Sequence, residues 1–200
     1  KDTGLKGLVL LLKGELGGVE EKEGKIHAGG GLALSDLVRF TEKKALAGLE
    51  FLAGIPGTVG GAVAMNAGAW GKSTGDVVTT VEIITADGQE TTKSRSELQF
   101  GYRKAALPIG SVVVSALFQV AQDRREAVSE RIRGYLGRRK AAQPLEYRSA
   151  GSVFKNPPQN FAGRLIESVG LKGKRVGGAM ISDKHANVIV NVGEQVQRTF

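Results

Sequence analysis

Apolar and polar positions alternate most cleanly over residues 112–120, where Val112, Val114, Ala116, Phe118 and Val120 fall on one side. A period of two predicts a half-buried strand. Residues 77–85 repeat the pattern through Val77, Thr79, Val81 and Ile83. Asp87 and Gly88 then predict a tight hairpin into a polar return strand over 89–93. Two more strands are expected earlier: a short apolar run at 8–12, and residues 25–28, which follow a polar turn at 17–24. Gly29, Gly30 and Gly31 break the second of these.

Helical spacing appears in three places. Ser35 and Asp36 are expected to open a helix as N-cap and first-turn acid, with Leu34, Leu37, Val38 and Ala45 inward and Gly48 as its stop. Residues 124–141 place Val128, Ile132, Tyr135 and Leu136 on one side of a second helix, which Gln143 and Pro144 end. A third covers 161–169, with Ala162, Leu165, Ile166 and Val169 inward and Gly170 after it. Strands at 179–181 and 187–192 flank a tight segment at 182–186. The fold class expected is α+β, with a domain boundary at Gln143-Pro144.

Between the first helix and the strand at 77 lies an uncharged loop, 54–68, with Gly54, Gly57, Gly60 and Gly61 around Pro56. Glycine lets backbone N–H groups converge on an anion, the usual way to hold a phosphate. The spacing is not the G-x-G-x-x-G of dinucleotide folds. Gly71-Lys72-Ser73 resembles the end of a Walker A loop, but Asn66 stands where that motif needs glycine. A pyrophosphate cradle and a tight structural turn both remain open.

Composition narrows the choices. The chain has 200 residues and a net charge of +8, which suits an anionic ligand. Its seven Phe, three Tyr and one Trp are not interleaved with basic residues, as a base-stacking binder would require. The absence of cysteine excludes disulfides and thiolate chemistry, and His27 and His185 make a poor metal site, so no metal is expected. No apolar run reaches the length of a membrane span. A soluble, cytoplasmic protein is expected, with no nucleic-acid partner. The basic residues of 124–141, including Arg124, Arg125, Arg131, Arg133, Arg138, Arg139 and Lys140, form either a solvated helix face or an anion-steering surface.

One family carries several of these stretches in the same order. They are Gly48 to Gly57, continuing through Gly60-Gly61 to Met65-Asn66-Ala67-Gly68; Phe100-Gly101-Tyr102-Arg103; Ser149 to Pro157, containing Ala150-Gly151-Ser152-Val153-Phe154-Lys155-Asn156; Leu165-Ile166-Glu167; Gly170-Leu171-Lys172-Gly173; and Ser182 to Asn187. The chain closely resembles the UDP-N-acetylenolpyruvoylglucosamine reductase (MurB) family, of the shorter type. The resemblance implies a PCMH-type FAD-binding domain at 1–142 and a substrate-binding domain at 143–200. It implies that NADPH reduces FAD, which then reduces UDP-N-acetylglucosamine enolpyruvate to UDP-N-acetylmuramate for peptidoglycan, in a protein expected to be a monomer.

Site residues follow by resemblance. The serine of the Ala-Gly-Ser motif, Ser152, is the implied proton donor, and Arg103 its catalytic partner. Gly54, Ile55, Pro56, Gly57, Thr58, Gly60, Gly61, Asn66, Ala67 and Gly68 are the implied cofactor residues. Tyr102, Lys155, Asn156, Lys172 and His185 are the implied substrate residues, although Lys172 fits a solvated lysine nearly as well and His185 a structural one. The chemistry suits these types: a guanidinium can pair with the carboxylate beside a developing carbanion, and a well-positioned hydroxyl can protonate it. The family pattern also has an upstream glycine-rich segment and a late glutamate, and neither lies in these residues; Glu194 falls too early. A piece of the family pattern, with weak flavin retention and poor turnover, is therefore expected. Another PCMH-type FAD oxidoreductase and a non-catalytic basic module are the alternatives.

Overall fold

A computed structural model describes residue 7 and residues 9–193. The strand expected at 8–12 begins outside that set, and Glu194 lies outside it altogether. The elements run β1 (Val19–Lys22), β2 (Lys25–Gly29), α1 (Leu34–Lys43), β3 (Leu46–Ala47), α2 (Val59–Ala64), β4 (Gly68–Ala69), β5 (Lys72–Ser73), β6 (Val78–Ile84), β7 (Glu90–Ser94), β8 (Val112–Gln119) and β9 (Ala121–Gln122). They continue with α3 (Arg125–Ala142), β10 (Arg148–Ser152), α4 (Ala162–Ser168), β11 (Arg175–Val176), β12 (Ala179–Ile181) and β13 (Val188–Asn191). The chain divides into two compact units, Lys1–Tyr135 and Leu136–Phe200. The α+β class is what the sequence predicts.

The first unit is built on an antiparallel sheet in the order β1-β2-β8-β6-β7. One face buries Ile26, Ala28, Val78, Val81, Ile83, Val113, Ala116 and Phe118 against α1, α2 and Val128 and Ile132 of α3. The polar stretch 17–24 is not all turn: Val19–Lys22 pairs with Lys25–Ala28 around Glu23 and Gly24, both at positive φ. Residues 9–13 form no strand, and Val9, Leu10 and Leu11 are exposed, because no described strand offers them a ladder. α1 starts earlier than expected, with Ala33 as an N-cap that makes no side-chain bond. Asp36 instead pairs with Arg39 one turn on, and the helix ends before Ala45, which takes φ +56°.

Two bulges change the inward face of the central strands. In β8 the register jumps from Glu82↔Ser115 to Ile83↔Val113, so Val114 is extra and Val113, not Val112 or Val114, turns into the core. In β6 the register skips Thr79, whose hydroxyl donates to Leu117 O at 3.1 Å, and Val78 replaces Val77 and Thr79 on the buried side.

The glycine run at 29–31 lies where this sheet is most crowded. A Cβ on Gly30 would stand 2.0 Å from Val113 O, and one on Gly29 2.2 Å from Leu16 O. Gly30 N donates to Val114 O at 2.6 Å, and its carbonyl accepts from Gly60 N at 2.8 Å. The bulge, the glycine run and α2 are thereby joined through one residue. The first turns of α3 are fixed by charge as well as by packing. Arg131 pairs with the buried Glu50 at 2.8 Å and with Asp123 at 2.6 Å, and Gly48 N gives Glu50 a second bond at 2.8 Å. Arg131 therefore belongs to neither a free solvated face nor a steering surface. Its guanidinium also holds the Asp123 carboxyl below its usual range.

The second unit has an antiparallel sheet in the order β10-β13-β12-β11. Its buried residues are Pro144, Ala162, Ala186, Val188 and Val190 with the polar Ser182 and Asn187. Of the apolar side expected for α4, only Ala162 is buried; Leu165 and Val169 are exposed, since no described element packs over them.

Candidate active site

In the first unit the loop at 54–68 is loop and helix in turn. Gly54 and Gly57 take positive φ, and Pro56 between them is exposed. From Thr58 the chain enters α2, with the Thr58 hydroxyl accepting from Gly61 N at 3.4 Å. Gly60 and Gly61 are therefore helical, and Gly60 is glycine because a Cβ would approach Gly30 O to 3.0 Å. Its N–H is already given to Gly30 O. Ile55 N donates to Leu52 O and Ala67 N to Ala62 O, whereas the Gly57 and Thr58 N–H groups bond to no described residue. The amides able to meet an anion are thus concentrated at the exposed Gly57–Thr58 end, where a Cβ on Gly57 would meet only open space. Gly68 has a local reason: a Cβ there would lie 2.2 Å from Lys72 O in the β4–β5 hairpin.

Asn66 joins this loop to the segment that carries Arg103. Its Nδ2 donates to Gly101 O at 3.0 Å, and its Oδ1 accepts from Gly75 N at 2.8 Å. Gly101 and Lys104 exchange backbone bonds of 2.9 and 3.2 Å around Tyr102 and Arg103. Tyr102 and Arg103 are both exposed at the tip, and Arg103 has φ +57°. Upstream, Glu97 braces the start of this segment. Its carboxylate accepts from Ser94 N at 2.9 Å and Ser94 Oγ at 2.7 Å and pairs with Lys93 at 3.3 Å.

These bonds, the Ser94 N–H first, then its hydroxyl and Lys93, lower the Glu97 pKa from 4.5 to about 2. A lowered carboxylate pKa means that the brace is fully present above about pH 4.5 and is lost as the pH falls toward 2. A carbon-detected NMR titration should put the Glu97 midpoint near 2, and Ser94→Ala should move it part of the way back up. An unchanged midpoint in that variant would remove the Ser94 hydroxyl from the account.

In the second unit the structure gathers the motif residues around the end of β10. Opposite β13 the register runs Ser149↔Val190 and then Ser152↔Val188, so Ala150 and Gly151 share one partner position in a bulge, with Gly151 at φ +79°. Ser152 follows directly and is exposed. Asn187, only 3% exposed, fixes the next turn of chain: its carbonyl accepts from Val153 N at 2.9 Å, its Oδ1 from Phe154 N at 3.0 Å, and its Nδ2 donates to Phe154 O at 2.8 Å. The side-chain amide thus pairs with a backbone residue as a neighbouring strand would. Sequence reasoning gave Asn187 no role. The available signal was an amide leading directly into the apolar Val188-Ile189-Val190.

The other motif residues also have local partners. Asn156 Oδ1 accepts from Ala162 N at 3.0 Å, serving the first turn of α4. His185 Nδ1 accepts from Asn187 N at 3.2 Å. Lys172 pairs with Glu167 at 2.6 Å on the surface. Lys155 is exposed on the segment that Asn187 anchors. No group of three or more His, Asp or Glu side chains able to hold a metal occurs among the described residues.

Residues 2–93 match the family model of an FAD binding domain, and residues 143–199 that of the C-terminal domain of UDP-N-acetylenolpyruvoylglucosamine reductase. The reductase of that name from Syntrophus aciditrophicus is 47% identical over 197 residues, which cover 96% of this chain and 63% of the relative. The one from Moorella thermoacetica is 47% identical over 193 residues, covering 96% and 64%. The crystal structure of UDP-N-acetylenolpyruvylglucosamine reductase (MurB) from Thermus caldophilus aligns with a TM-score of 0.77 at 42% identity, covering 92% of this chain and 65% of that one. The chain thus spans a little under two thirds of the length of these relatives.

Proposed function

The chain belongs to the UDP-N-acetylenolpyruvoylglucosamine reductase (MurB) family, and from that premise we propose that it reduces the enolpyruvyl ether of UDP-N-acetylglucosamine to UDP-N-acetylmuramate with electrons from NADPH. The division of labour is a flavin-binding domain at 1–142 and a substrate-binding domain at 143–200, supported by the family match from residue 143 onward. When bound, FAD supplies the hydride-carrying group between the nicotinamide and the ether. The residues present suit it at one end: Gly54, Ile55 and Pro56 shape an uncharged turn that leaves the Gly57 and Thr58 N–H groups available to a pyrophosphate. Gly60, Gly61, Ala67 and Gly68 support that turn through α2 and its contacts, whereas the Asn66 side chain ties to Gly75 and Gly101.

The observation that carries the proposal is Ser152, an exposed hydroxyl on a bulged strand end whose continuation is gripped by a buried amide. The Arg103 guanidinium pairs with the substrate carboxylate and stabilises the charge that builds beside it. The Ser152 Oγ–H delivers the proton to the adjoining carbon. Tyr102, Lys155, Asn156, Lys172 and His185 line or support the substrate. Such precursor chemistry belongs in the cytoplasm and serves cell shape and division, and nothing in it requires more than a monomer. Among the described residues no helix is long and apolar enough to cross a membrane.

The test is the visible spectrum of the purified protein with added FAD, followed by NADPH consumption with and without the enolpyruvyl ether. Weak flavin binding and slow, strictly ether-dependent turnover are expected. Oxygen uptake with a simple sugar and no ether-dependent turnover would point to a different flavin oxidoreductase. Retention of nucleic acid at moderate salt with no flavin bound would point to a basic binding module.

A further inference from the structure

We propose that Asn66 is a positioning residue for Arg103 rather than a ligand of the cofactor. Its side-chain amide is spent on protein backbone at both ends, on Gly101 O at 3.0 Å and on Gly75 N at 2.8 Å. A carbonyl on one side and an N–H on the other leave only one orientation for the amide. Both partners are fixed from elsewhere. A Cβ on Gly75 would lie 2.6 Å from the Phe100 ring, and the Gly75 carbonyl accepts from Arg95 Nε. Gly101 begins the turn that presents Tyr102 and Arg103, and Ala106 N closes the base of the segment on Leu98 O at 2.6 Å. Leu98 is fully buried.

What this clamp holds is a backbone that L residues avoid. Arg103 stands at φ +57° and Gln99 at φ +39°, both without the freedom of glycine. Such conformations persist only where the surroundings determine them. Asn66, 35 residues before its partner Gly101, is the side chain tied to that turn. Asn66 is itself at φ +42°, which asparagine tolerates better than most residues. The left-handed turn aims the guanidinium; released, it would relax toward an ordinary extended conformation and carry Arg103 off its target. This role for Asn66 deepens the reductase proposal and rests on it for the part Arg103 plays.

Asn66→Asp keeps the acceptor for Gly75 N but turns a carboxylate oxygen toward Gly101 O. Limited tryptic digestion, with the cuts located by mass spectrometry, should show cleavage after Arg103 and Lys104 rising roughly five- to tenfold, the factor that one lost hydrogen bond carries, while cleavage after Lys93 holds steady. The affinity for FAD and the rate of flavin bleaching by NADPH should stay near wild type, and kcat for the ether-dependent step should fall without a matching rise in KM for NADPH. A drop in FAD affinity with unchanged cleavage would overturn the proposal and make Asn66 a cofactor ligand; so would no change in any of these. If the wild-type protein takes no flavin, the reductase proposal fails, and the cleavage pattern alone still decides the clamp. If the variant does not fold, hydrogen exchange at the wild-type Gly75 N–H decides it: slow exchange supports the clamp and fast exchange sinks it.

Discussion

Gly30→Ala is expected to prevent the first unit from folding. A methyl group at this position would sit 2.0 Å from the carbonyl oxygen of Val113, far inside any tolerable contact, and the obstacle is backbone rather than the end of a flexible side chain. Relief by movement is closed off on two sides, since Gly30 N is bonded to Val114 O at 2.6 Å and its carbonyl takes the Gly60 N–H at 2.8 Å. Making room would break both bonds and shift either the β8 bulge or α2. We expect a loss of at least about 4 kcal/mol, beyond the usual range for overpacking, because packing and two buried hydrogen bonds fail together. Urea unfolding followed by far-UV circular dichroism checks it. Gly17→Ala, where a Cβ meets nothing within 4 Å and φ is not positive, is the control and should melt like wild type. A Gly30→Ala protein with a wild-type midpoint would mean that the strand end and α2 are not in contact through this residue.

Ser152→Ala should separate the two halves of the proposed reaction. The hydroxyl is exposed at a strand end and, as the proposed proton donor, is needed only once the ether is being reduced. Bleaching of the flavin by NADPH should therefore proceed at nearly the wild-type rate. The ether-dependent return of colour should slow roughly 100- to 10,000-fold, the range that a positioned acid supplies. Stopped-flow absorbance resolves the two phases. The substitution removes one oxygen atom from an exposed position, so stability should be unaffected. Equal slowing of both phases would mean that Ser152 does not donate the proton.

The elements were legible wherever the hydrophobic pattern ran unbroken. Residues 179–181 and 187–192 predicted β12 and β13 closely, and Asp87-Gly88 marked the β6–β7 turn. The pattern misled where a bulge inserted a residue: the alternation at Val112 and Val114 was real, but Val114 is the extra residue, and the buried side passes to Val113. Alternation cannot reveal that slip, because it is set by the strand alongside. The exposed Val9–Leu11 and Leu165 misled for the opposite reason: an apolar residue states a preference for burial and does not supply a partner. Of the candidate site, the glycine loop and the residues around Ser152 were visible as strings. The asparagine clamps were not, since a side chain that pairs with distant backbone leaves no period or spacing. Arg131 belonged to the same class, read within a basic helix when its partner was Glu50, 81 residues away.

The two clamps also bear on how this protein ages in a tube. Asparagine is lost when the backbone nitrogen of the following residue attacks its side-chain carbonyl and expels ammonia, giving a cyclic imide that water opens to isoaspartate or aspartate: at Asn66 the aspartate product is the very substitution proposed above, arising without any mutation. In this fold both attacking nitrogens are already engaged, Ala67 N with Ala62 O at 2.8 Å and Val188 N with His185 O at 2.9 Å. The hydrogen bonds that shape these turns thereby guard their own chemistry, and a stored preparation should keep Asn66 and Asn187 intact for as long as it stays folded.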